Sequence, residues 1–188
     1  MSPVRPACGR EALDPHDLKT VLSAEQIARR TAELGAEISA RYAGEPLVAV
    51  CVLKGAFPFF ADLVRHLTCA PELDFLQLAS YGTGTCSSGR VVFRKDMDVP
   101  VDGKHVLVVE DIVDSGRSME YLMGVLGNRG PKSLALAALI DKRERREVPV
   151  TVDFPGFTLN EGFVVGYGLD WAEQYRELPY VAEVVFRS

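Results

Sequence analysis

The run Val106-Leu107-Val108-Val109-Glu110-Asp111-Ile112-Val113-Asp114-Ser115-Gly116-Arg117-Ser118 constrains the fold more than any other stretch of the chain. Its apolar, β-branched opening describes a strand buried on both faces, which occurs where helices cover a parallel sheet. The strand ends in two carboxylates and a loop of small polar residues. Met119, Leu122, Met123 and Leu126 then recur at spacings of three and four, so a helix begins near Ser118. That order puts the loop outside the carboxyl edge of the sheet, where open α/β folds hold ligands. Gly116 lets the backbone come close, Ser115 and Ser118 add hydroxyls, and the helix amino end suits a phosphate. Glu110 and Asp111 beside an anion site suit something different, either ribose hydroxyls or a magnesium ion. Taken alone, Asp114-Ser115-Gly116 reads equally well as an N-capped turn.

With 188 residues the chain suits one domain with a sizeable core, and residues 18–188 are assigned to it. Residues 1–17, with Pro3, Pro6, Gly9 and Pro15, read as a flexible or surface-bound arm. The formal net charge of −5 comes from interspersed signs, without a basic stripe or polybasic segment. That excludes a nucleic-acid or membrane partner and leaves a small molecule. No long apolar run or signal-peptide pattern is found, so a cytoplasmic protein is expected. Cys8, Cys51, Cys69 and Cys86 show neither CxxC spacing nor a histidine cluster and read as reduced thiols. His16, His66 and His105 are scattered, and His105 opens the central strand.

Along the chain, Ser23 and Gln26 form a capping box ahead of a helix with Ile27, Thr31, Leu34, Ile38 and Tyr42 on one stripe. Leu47–Leu53 is a buried strand stopping at Lys54-Gly55, a pair that alone reads as a solvated turn. In the following helix Phe57, Phe60, Val64 and Leu67 are expected to share a face. Asp74–Tyr81 reads as a strand, and the Gly-, Ser- and Thr-rich run 82–90 after it as a lid or a mobile loop. Ser133–Ile140 is a further buried strand leading into the charge run 141–146, in which Glu144 and Arg145 read as a solvated connection. Phe163, in an apolar run, is by pattern either core or a stacking surface. Leu178–Phe186 closes the fold as a strand.

The central run resembles the phosphoribosyl-diphosphate-binding motif of type I phosphoribosyltransferases. Together with Leu53-Lys54-Gly55, Ser80-Tyr81 and the stretch from Phe163 to Arg176, it resembles the hypoxanthine or hypoxanthine-guanine members over about residues 20–186. Arg117 and Ser118 stand where many members carry Lys or Leu and Thr, and Gly168 is expected to soften the carboxy-terminal part.

The resemblance implies an α/β fold of the type I phosphoribosyltransferase kind. Its central, mostly parallel sheet is flanked by helices, with a small hood from about residues 150–188 and a flexible active-site loop that starts at Ser80 and Tyr81. It further implies purine salvage, in which the 5-phosphoribosyl group passes from its 1-diphosphate to N9 of hypoxanthine or guanine. Glu110 and Asp111 would hold the ribose, and Asp114, Ser115, Gly116, Arg117 and Ser118 the 5′-phosphate. Asp114 would also act as general base. Lys54, Gly55 and Arg176 would hold diphosphate, and Lys142, Phe163, Val164 and Asp170 the purine side. Mg2+ is the implied cofactor, with Asp170 as its ligand and Glu110 and Asp111 as further ligands, directly or through water. The resemblance also implies a homodimer or homotetramer, and a cis peptide at Leu53-Lys54. The rivals are a xanthine-preferring or other phosphoribosyltransferase and a non-catalytic nucleotide-binding regulator.

Overall fold

A computed structural model describes residues 13–81 and 90–187. Its main sheet has six strands in the order β4-β3-β2-β5-β6-β7. These are β2 (Leu47–Leu53), β3 (Glu72–Tyr81), β4 (Arg90–Lys95), β5 (His105–Val113), β6 (Ser133–Asp141) and β7 (Phe154–Thr158). All neighbours run parallel except the β3–β4 hairpin.

Side-chain alternation sorts the apolar strands into two layers. Ala49, Cys51, Leu107, Val109, Ala135 and Ala137 face α1 (Ala24–Arg41) and α2 (Phe57–Val64). Val48, Val50, Val106, Val108, Leu136 and Ala138 face α3 (Arg117–Gly127), which buries Met119, Leu122 and Leu126. Helix α1 starts at the expected capping box, with Ser23 Oγ accepting from the Gln26 backbone and Gln26 Oε1 accepting from the Ser23 backbone. All five stripe residues from Ile27 to Tyr42 are buried.

A second sheet of three strands, β1-β9-β8, forms the hood from β1 (His16–Leu22), β8 (Val164–Val165) and β9 (Val181–Phe186). Its apolar residues Val164, Leu169 and Val181 join the core on the α1–α2 side.

Three expectations need correction, and one strand went unread. The hood does not take in all of 150–188, because β7 pairs with β6 in the main sheet. The hood instead draws in β1, so His16 and Asp17 lie in a strand paired with Phe186 and Val185 rather than in an arm. A strand opened by one histidine after a proline-rich stretch gave no alternation strong enough to read. In α2 the buried residues are Phe59, Phe60 and Leu63, while Phe57 is 58% exposed. The helix is short, Leu67 lies beyond its end, and its sheet-facing arc therefore falls one step from the expected stripe. Finally, the unread strand β4 returns beside β3, and the turn after it is tied to the core by Asp74. This buried carboxylate accepts from the N–H groups of Phe75, Asp98 and Val99 at 2.6–2.7 Å. Burial opposes its ionisation, but those three donors outweigh burial and hold it below the ordinary aspartate range.

Candidate active site

Strands β2, β5 and β6 end side by side, which brings Lys54, Glu110 and Lys142 to one edge of the sheet. The Leu53-Lys54 peptide is cis. Gly55 follows, and a Cβ there would sit 1.6 Å from Asp111 Oδ2, so only glycine fits this approach of the turn to the acidic pair.

Glu110 is buried and Asp111 half-buried. Glu110 Oε1 accepts from the Asp111 backbone at 3.0 Å, and Asp111 Oδ1 from the Ile112 backbone at 2.7 Å. Burial, reinforced by the neighbouring Asp111, raises the Glu110 carboxyl well above its ordinary range. Burial also raises Asp111, against hydrogen bonds from Glu110 and the Ile112 N–H and the charge of Arg176.

The loop after them lines a cavity of about 210 Å³ together with the pair; Asp114, Ser115, Gly116 and Ser118 face it. Gly116 stands at φ 86 as the N-cap of α3, a backbone conformation that L side chains rarely adopt. Oδ1 of Asp114 is buried with no hydrogen-bond partner among the described residues, while Oδ2 pairs with Arg145 at 3.2 Å. The Arg117 side chain turns away from the cavity to Glu147, 2.5 Å distant.

The loop is braced from below by Arg146. It donates to the backbone oxygens of Asp114 and Val150 at 3.2 and 2.6 Å and pairs with buried Asp141, which also meets Arg143. Neither Arg145 nor Arg146 was read as part of the site. Within the six charged residues 141–146 nothing in the pattern separates an arginine that turns inward from one that stays in water.

Lys142 is buried at the end of β6, and its Nζ donates to Gly162 O at 2.6 Å. Burial lowers its pKa, partly offset by the charge of Asp114. Phe163 is 45% exposed, with its ring edge on Trp171 at 5.8 Å, so it is a presented aromatic and not core. Val164 is buried at the start of β8.

The hood turn completes the cleft. Gly168, at φ 99, would place a Cβ 1.9 Å from Gly55 O, so this glycine locks the hood onto the Lys-Gly turn and does not soften it. Arg176 donates to Gly168 O at 2.7 Å and pairs with Asp170 at 2.8 Å. Tyr167 ties the hood to α2 by donating to Asp62 at 2.5 Å. Ser80 and Tyr81 lie at the end of β3, paired with Val91 and Arg90; the loop 82–89 falls outside the described residues. Thus the fold gathers the strand-end residues and the hood residues at one cleft, with the side chain of Arg117 directed elsewhere.

An anion loop, an acidic pair, a buried lysine and an offered aromatic at the carboxyl edge of one sheet define a phosphoribosyltransferase-type site. Residues 17–171 match the phosphoribosyl transferase domain model, and the chain belongs to that family. The hypoxanthine-guanine phosphoribosyltransferase of Bacillus subtilis is 46% identical over 167 residues, spanning 88% of this chain and 93% of that protein. The hypoxanthine phosphoribosyltransferase of Salmonella typhimurium is 46% identical over 172 residues, or 90% and 97% of the two chains. A crystal structure of a hypoxanthine phosphoribosyltransferase from Staphylococcus aureus superposes with a TM-score of 0.85 at 37% identity, covering 88% of this chain and 90% of that one.

Proposed function

We propose that the protein is a purine-salvage hypoxanthine phosphoribosyltransferase. It transfers the 5-phosphoribosyl group from 5-phosphoribosyl 1-diphosphate to N9 of hypoxanthine, and of guanine, forming IMP or GMP and diphosphate. The observation that carries this reading is the buried, unpartnered Oδ1 of Asp114 in a cavity shared with Glu110, Asp111 and the phosphate-type loop.

The roles follow from chemistry. The 5′-phosphate binds the loop Asp114–Ser118, where Ser115, Ser118 and the amino end of α3 supply donors and Arg117 contributes only its main chain. Glu110 and Asp111 accept from the ribose hydroxyls, which replaces part of the solvation these buried acids lack. Phe163 stacks on the purine and the Val164 main chain meets its edge. The Lys142 ammonium has donors only, so it favours a 6-oxo group over the 6-amino group of adenine. Asp114 Oδ1 takes the N7 proton as the bond from ribose to N9 forms. Lys54, the Gly55 backbone and Arg176 receive the negative charge that builds on departing diphosphate.

Asp170 would hold a magnesium ion, with Glu110 and Asp111 reaching it directly or through water. Among the described residues no three acidic, histidine or cysteine groups cluster, and magnesium characteristically takes only one or two protein carboxylates. When bound it would neutralise charge on the leaving group. We also propose a homodimer or homotetramer, supported by the exposed Phe57, Leu73 and Phe75. A cytoplasmic location accords with the described helices, none of which is long and apolar enough to cross a membrane.

The test is release of diphosphate from 5-phosphoribosyl 1-diphosphate with hypoxanthine, guanine, xanthine or adenine, with and without magnesium. Turnover with hypoxanthine and guanine and none with adenine is expected. Turnover with xanthine alone would give the xanthine-preferring reading, and silence with every base would overturn the enzyme.

A further inference from the structure

Lys54 and Arg176 reach the cleft from different elements, the end of β2 and the hood, yet both meet the same atom. Oε2 of Glu173 lies 3.1 Å from Lys54 Nζ and 3.4 Å from an Arg176 terminal nitrogen. One oxygen bridging an ammonium and a guanidinium is the contact a phosphate oxygen would make there.

Glu173 is held in place through its backbone. Its N–H donates to Asp170 Oδ2 at 2.8 Å, and Trp171 and Gln174 bridge the turn around it. Ala172, Glu173 and Tyr175 all adopt positive φ, at 49, 60 and 75. Three non-glycine residues in the left-handed region within four positions form a turn that sets the carboxylate against Lys54 and Arg176. The side chain is nevertheless 64% exposed, so water is available to it if it leaves.

We propose that Glu173 is an internal surrogate for the leaving group. Its carboxylate occupies the anion position between Lys54 and Arg176 in the ligand-free protein, and diphosphate binds by displacing it. The inference rests on the diphosphate subsite assigned above and adds a regulator of its affinity. Between turnovers the carboxylate keeps two like charges together across the gap, and at the end of a turnover it competes product diphosphate off the same pair. Binding is then an exchange of one anion for another, so the subsite holds diphosphate less tightly than two free cations would.

The test is calorimetric titration of the full-length protein with inorganic diphosphate in metal-free buffer. Glu173→Gln removes the charge and keeps the shape, and should bind diphosphate about three- to tenfold more tightly than wild type. Glu161→Gln, a change of equal charge at an exposed hood position, should gain less. Unchanged or weaker binding by Glu173→Gln, or an equal gain in Glu161→Gln, overturns the inference. Lys54→Ala separates this from the reading beneath it. If Lys54→Ala weakens binding while Glu173→Gln changes nothing, the subsite stands and the surrogate falls. If Lys54→Ala binds as well as wild type, both fall.

Discussion

The two walls of the cleft treat charge in opposite ways. On the sheet wall Glu110 and Asp111 press together, and among the described residues neither bonds a cation and one oxygen of Asp114 has no partner. On the hood wall Asp170, Glu173 and Arg176, joined by Lys54 from the end of β2, neutralise one another at 2.8–3.4 Å. The difference follows from what carries them. Strand β5 is hydrogen-bonded between β2 and β6, with Val106, Leu107, Val108 and Val109 fully buried, so its acids cannot move to find partners. The hood residues sit on turns at the surface, where side chains reach one another and can exchange partners. The buried wall holds unmet hydrogen-bonding capacity for a substrate, and the solvent-facing wall pairs its charges until the leaving group arrives.

The sharpest way to break this comparison is Asp114→Asn. If the unpaired oxygen is the base, turnover falls by about 10²–10⁴ while the unfolding midpoint stays near wild type. Steady-state diphosphate release and thermal unfolding check the two halves. Near-normal turnover would leave Asp114 as a loop residue like its neighbours.

Next in size is the brace beneath the sheet wall. Arg146→Ala withdraws the more buried of the two arginines that pair with Asp141, a carboxylate that is 4% exposed, and frees the backbone oxygens of Asp114 and Val150. Loss of about 3 kcal/mol in denaturant unfolding is expected. Arg143, 66% exposed, keeps its own contact with Asp141, so the loss comes mainly from the buried side of that carboxylate and from the two backbone oxygens. Arg117→Ala, which breaks a surface pair with Glu147, should cost under about 1 kcal/mol. Equal losses would mean that the loop is not held from below.

The same contrast decides what could be read from the sequence. Leu47–Leu53 coincides with β2, and Ser133–Ile140 with β6 to within one residue, because a strand buried on both faces must be apolar throughout. The acidic pair and its loop stood out because charge ends such a run abruptly. The hood was less legible. Strand β1 mixes Asp17, Lys19 and Thr20 with its apolar residues, β8 has only two residues, and Gly168 looked like a flexible residue until its approach to Gly55 O was seen. Arg146 was hidden because burial of one arginine in a charged run depends on Asp141, and periodicity carries no trace of that pairing.

The smallest effect tests whether fixed acids cost stability. The Glu110 carboxyl is raised above its unfolded-state value, near 4.5, chiefly by burial and then by Asp111. A group raised in this way supports folding fully below the unfolded value, and the support is lost as pH climbs through the folded one. At alkaline pH the ionised Glu110 therefore opposes folding, and Glu110→Gln, neutral and of the same shape, should be more stable by on the order of 1 kcal/mol. The advantage should shrink as the pH is lowered and wild-type Glu110 takes up its proton. Asp74, held below its ordinary range, drives stability the other way as pH falls below its unfolded value near 3.8, but both proteins share it and their difference removes it. Denaturant unfolding of the pair in metal-free buffer between about pH 5 and pH 9 measures that difference. The same variant should raise the KM for 5-phosphoribosyl 1-diphosphate, because an amide offers the ribose one acceptor where the carboxylate offers two. A stability difference that does not vary with pH would place the cost of Glu110 in packing rather than in charge, and the two walls would then differ only in exposure.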